Sequence, residues 1–208
     1  MSFIKREKLS KEERKYLKFA AYDALIEWDE HSLPVSDDYH QKAKYDILVL
    51  PMQFVSLRLG HEETYFSDLG KFYSDCICMY VSTTKHFIIL YNEHLQPDER
   101  RWNISKGLSL IKLGVLESSP DTFISVHYDE LRSDEFTYFY TCPDIILNEC
   151  KISSASEILM HCDIPFIYAN RKEGFLKRLI PSKSLQFIEE LLKRNFADFI
   201  SSFDYKNN

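Results

Sequence analysis

Seven histidines and five cysteines are the side chains here that most readily hold a metal or supply a nucleophile. The histidines stand at 31, 40, 61, 86, 94, 127 and 161, and no two are three or four residues apart. No helix can therefore aim two imidazoles at one cation. His61-Glu62-Glu63-Thr64-Tyr65 opens like the zinc pattern H-E-x-x-H, but Tyr65 stands where the second ligand belongs. It reads better as a loop of solvated charges. The cysteines (Cys76, Cys78, Cys142, Cys150, Cys162) are odd in number and form no C-x-x-C pair, so they read as reduced, mostly buried thiols. His127-Tyr128-Asp129 sets an imidazole and a carboxylate on one face of an expected strand. Such a pair can tune a general base, although a surface ion pair is the plainer reading. His161 and Cys162 are adjacent on an expected helix and so point about 100° apart, which rules out a dyad. G-x-S-x-G, Walker and G-x-G-x-x-G motifs are all absent from the sequence.

The elements that would position these residues can be read from the pattern. The 208 residues are 45% hydrophobic and 14% aromatic, enough for a globular core. With 26 basic and 32 acidic residues the net charge is −6, which disfavours nucleic acid as a partner. No stretch approaches the roughly 18 apolar residues of a membrane span, and the N-terminus turns charged too early for a secretory signal. A cytoplasmic location, with no membrane partner, is the expectation.

Ser10-Lys11-Glu12-Glu13 is a capping box that opens a helix to about Trp28. Ile47 to Leu50 reads as a buried strand ended by Pro51. Cys76–Ser82 and Phe87–Tyr91 read as a hairpin. Trp102 to Gly114 has helical spacing, with Gly107 inside it costing up to ~1 kcal/mol relative to alanine. Thr122 to Tyr128 reads as a further strand, and Phe136 to Ile146 as an aromatic-rich helix interrupted at Pro143. Ser154-Ala155-Ser156-Glu157 caps a helix to Cys162, Pro165 suits the first position of another, and a last helix follows Pro181. The expected fold is α+β. A small, mainly antiparallel sheet with packed helices forms a core over residues 1–146, and a C-terminal helical region over 147–208 packs on it.

The segment Phe87-Ile88-Ile89-Leu90-Tyr91-Asn92, followed by Arg100-Arg101-Trp102-Asn103-Ile104-Ser105-Lys106-Gly107-Leu108-Ser109-Leu110-Ile111-Lys112-Leu113-Gly114, resembles the ImmA/IrrE metallopeptidase family. That family has a strand ending Tyr-Asn, then Arg-aromatic-Thr-Ile-Ala, His-Glu-Leu-Gly-His and an Ile/Leu-Gly ending. Ser32 to Val35, Phe136 to Pro143 and Ser154 to Leu179 are similar to further segments of the family in the same order. The resemblance implies a zincin-like core. It puts Lys106 on the first zinc histidine, Gly107 on the catalytic glutamate and Leu110 on the second histidine. Arg132 falls on the third ligand, or Glu135 if the register slips by three.

Zinc hydrolysis needs neutral or anionic ligands and a carboxylate base, whereas an ammonium at Lys106 would repel a dication by several kcal/mol at ~4 Å. The resemblance therefore implies an inactive relative without catalytic residues, metal ligands or cofactor. Such a relative, bacterial or from a phage, would work by binding a protein. In the family that partner is a helix-turn-helix repressor of a mobile element or stress response. The vestigial cleft would be formed by Trp102, Lys106, Gly107, Leu110, Tyr128 and Arg132, with a shallow gap over Gly107. Lys106 would either pair there with Glu130 or Asp134 or snorkel to the surface. Two alternatives stand beside this reading. One is a peptidase or other hydrolase with a non-standard site. The other is a DNA-binding helix-turn-helix over 154–178, whose second helix offers Arg171, Lys172, Lys177 and Arg178.

Overall fold

The structure, a computed structural model, describes residues 8–36, 44–60, 75–177 and 183–204; His61–Tyr65 and Arg178 lie outside these. Helix α1 (Lys11–Glu27) begins at the expected box: the Ser10 hydroxyl accepts from the Glu13 amide, and the Glu13 carboxylate accepts from the Ser10 amide. Strand β1 (Ile47–Pro51) runs directly into the short α2 (Met52–Arg58). The hairpin is β2 (Cys76–Val81) and β3 (His86–Tyr91). Four strands form one sheet in the order β1-β3-β2-β4, where β4 is only Ile124–Ser125. β2 is antiparallel to both β3 and β4, but β1 lies parallel to β3, so the sheet is mixed.

Period two splits the sheet's side chains between its faces. Ile47, Val49, Cys76, Cys78 and Ile89 enter the main core, while Ile77 and Leu90 pack with Met52 of α2 on the other face. The expected strand Thr122–Tyr128 is corrected to those two residues of β4. Val126 makes one further backbone bond to Cys76, and Tyr128 already turns back to bond Ser125.

Helix α3 (Pro97–Lys112) starts five residues before the expected Trp102, with Pro97 in its first turn beside Asp98 and Glu99. Proline's fixed φ and the acidic side chains both favour a helix N-terminus. From Trp102 to Leu110 every residue of α3 is buried, because the helix lies between the sheet and helices α1 and α4 (Glu130–Thr141).

Beyond Pro143 come α5 (Asp144–Glu149), α6 (Ala155–Cys162), α7 (Phe166–Leu176), α8 (Gln186–Asn195) and α9 (Ala197–Asp204). α6 carries the second capping box, and Pro165 is the N-cap of α7 rather than its first residue. The expected last helix is two, divided at Phe196, which is fully buried. α5 spans residues 146 and 147, α8 packs on α1, and one hydrophobic core runs from Leu17 to Phe196. Among the described residues no helix is long and apolar enough to cross a membrane.

Candidate functional site

Lys106 lies midway along α3, where the helix passes behind α4, and is only 2% exposed. A buried ammonium needs compensation. Its Nζ lies 2.9 Å from Asp134 Oδ1, 3.3 Å from His127 Nδ1 and 3.9 Å from Glu130 Oε1. His127 Nδ1 is in turn 3.1 Å from Glu130 Oε1. The contact with Asp134 is an ion pair rather than an aligned hydrogen bond, since Oδ1 has no hydrogen-bond partner. His127, Glu130 and Asp134 follow one another at three and four residues, and the turn into α4 with its first two turns presents them together. His127 Nδ1 either accepts from Lys106 or donates to Glu130, according to whether it carries the proton, and the expected strand-face pairing with Asp129 is not formed. Asp129 instead faces Arg132, at 3.5 Å.

The six residues expected to form a cleft do not come together. Trp102 is buried and stacks on Tyr168 of α7, with centroids 3.8 Å apart, so it anchors the helical pair α6–α7 instead of rimming an opening. Leu110 is fully buried in the main core. Gly107 faces the sheet: a Cβ there would lie 2.9 Å from Cys78 Sγ and 3.1 Å from Ile89 Cδ1. The expected gap over Gly107 is filled, and the glycine is explained by the close approach of helix and strands. Lys106 is buried behind α4. Only Tyr128, 72% exposed, and Arg132, half-exposed, reach solvent.

An open groove of about 1140 Å3 lies on the solvent side of α4, and Glu130, Leu131, Asp134 and Glu135 form its wall. Lys8, Leu9, Lys11, Arg14 and Arg171 line the rest. Glu135 is buried between two guanidiniums, 3.8 Å from Arg14 and 3.7 Å from Arg171. The two hydrogen bonds from Ser10, and to a lesser degree the charge of Arg132, hold the Glu13 carboxyl below its ordinary range. Arg14 carries no recognisable motif, and neither it nor Arg171 is marked by the sequence as a partner of Glu135. The i, i+4 pairs Glu130/Asp134 and Leu131/Glu135 were the available signal, hidden because α4 begins six residues before the expected Phe136.

A zinc ion does not fit the positions the resemblance assigns to it. Lys106 is a cation held by carboxylates, Gly107 has no side chain and Leu110 is in the core. A thiol mechanism has equally little support. All five cysteines are free and buried. Burial, then the neighbouring Cys78 thiol, pushes Cys76 well above the ordinary thiol range, and the charge of Lys106 opposes this only in part. In the proposed DNA-reading helix Lys172 is fully buried against Asp144, and Lys177 pairs with Glu173. No known protein-family model matches the chain, and neither a curated protein nor a solved structure matches it.

Proposed function

We propose that the chain is a non-catalytic, protein-binding relative of ImmA/IrrE-type peptidases, in which the surface of α4 and the turn before it meets the partner. The observation that carries this reading is the Lys106 cluster. At the position the resemblance gives to a zinc ligand stands an ammonium neutralised by Asp134 and Glu130. An internal cation supplies positive charge where a metal would sit, one unit rather than two, and offers no activated water. The exposed Tyr128, Leu131 and Arg132 beside it include the aromatic and arginine types that anchor interfaces. A transcriptional regulator is the partner the resemblance suggests.

The test is capture of host proteins on the immobilised chain, comparing the natural sequence with Tyr128→Ala/Arg132→Glu. A partner held by the first and lost by the second, at unchanged melting temperature, is the expected result. Equal capture removes this face from the function. Peptide hydrolysis abolished by a chelator would replace the reading with that of an active metallopeptidase.

A further inference from the structure

The groove in front of α4 has an unbalanced charge for a chain that is acidic as a whole. Two of its three carboxylates, Glu130 and Asp134, already face Lys106 behind the wall. The third, Glu135, is shared by Arg14 and Arg171. Among the described residues each guanidinium pairs with Glu135 alone, at distances near the limit of an ion pair, although each carries five N–H donors. Lys8 and Lys11 add two exposed ammonium groups. Counting Lys106, five cations meet three carboxylates.

We propose that this groove binds an acidic polypeptide segment of a partner protein, with the partner's carboxylates taken by Arg14, Arg171, Lys8 and Lys11. The inference rests on the protein-binding reading and names the chemistry of the partner.

Three observations favour a peptide over other anions. The groove's 1140 Å3 exceeds the roughly 300–1,000 Å3 of small-molecule clefts. Carboxylates in the wall can accept from peptide N–H groups, donors that a sugar-phosphate backbone lacks. Leu131 is 43% exposed in the same wall and offers apolar contact between the charges. Arg171 lies over the Tyr138 ring, 5.3 Å from its centroid, which orders one guanidinium before any ligand arrives.

The probe is a fluorescein-labelled peptide alternating glutamate and tyrosine, followed by anisotropy at low and high salt. Controls are the same peptide with lysine for glutamate and a single-stranded oligothymidylate of equal charge. The acidic peptide should bind and weaken with salt, while the lysine peptide stays free and the oligonucleotide binds more weakly. Arg14→Ser/Arg171→Ser should lose at least about tenfold in affinity. Lys8→Ser/Lys11→Ser, on exposed residues at the start of α1, should lose severalfold and guards against misfolding of the first variant.

No binding of the acidic peptide, binding unchanged in both variants, or tighter binding of the oligonucleotide would overturn the proposal. If the peptide fails while Tyr128→Ala/Arg132→Glu still abolishes partner capture, the acidic ligand is wrong and the protein-binding face stands. Peptide binding with no effect of that variant on capture removes the face instead.

Discussion

Two buried lysines hold carboxylates in this molecule under opposite conditions. Lys172 of α7 is 0% exposed and contacts Asp144, itself buried, at the start of α5. Its ammonium sits over the rings of Tyr138, Phe139 and Phe175, with centroids 4.4, 5.3 and 5.5 Å away. Asp144 also faces Lys18 of α1 at 3.2 Å. That cluster ties α1, α5 and α7 together inside a shell of aromatic rings. Lys106 is nearly as buried, but the Glu130 and Asp134 side chains are 64% and 27% exposed. One ammonium is enclosed with its partner, whereas the other is covered by carboxylates that look outward. The enclosed pair can only hold the fold, while the open one also sets the charge of a surface.

The largest effect should come from Lys172→Met, because it leaves Asp144 in a dry site with Lys18 as its one cation among the described residues. A loss of about 3 kcal/mol in urea unfolding is expected. Lys172→Met/Asp144→Asn should recover much of that loss, and failure to recover would show that the ammonium matters through the rings rather than through the carboxylate. Lys106→Met should cost less, about 1–2 kcal/mol, since Glu130 can rehydrate where it stands. A cost equal to that of Lys172→Met would erase the distinction between the two sites.

Gly107→Ala should cost about 1 kcal/mol by thermal unfolding, with crowding of about 1–3 kcal/mol outweighing a helix gain of up to ~1 kcal/mol. In a Cys78→Ala background the same change should be close to neutral, since the closest contact is that thiol. A destabilisation that persists there would shift the cause to Ile89. The smallest effect should be that of Arg132→Ala, within about 0.5 kcal/mol, because its pair with Asp129 is on the surface.

Local chemistry made much of the fold legible. Both capping boxes form as their residues require, and the alternation of Cys76 to Tyr91 yields the hairpin. What failed was context. Ile124 and Ser125 belong to the sheet, but the chain turns at Tyr128 before period two can continue, so β propensity in Thr122–Tyr128 was overridden. The site was legible only in part for the same reason. Of the two readings of Lys106, the structure forms the pairing with Asp134 and Glu130 and not the snorkelling lysine. The reason is that α4 covers the ammonium, a packing that α3's own sequence does not announce. The resemblance grouped Trp102, Gly107 and Leu110 with Lys106, although they share only α3. A helix buried on every side spends its faces on different neighbours, and its own sequence does not name them.

The position of β1 has a consequence for how the chain reaches this structure. β2 and β3 meet through a short turn, so their pairing closes a small loop and can form early. β1 joins β3 on its far side, where Leu50 pairs with Leu90, and that contact spans roughly 40 residues of chain. Its closure entropy is offset only once Ile89 and Val49 enter a common core with α3. The hairpin should therefore nucleate the sheet, and β1, like β4 on the opposite edge, should join it later. Truncating Val49 should mainly speed unfolding, while truncating Ile89 should slow folding as well.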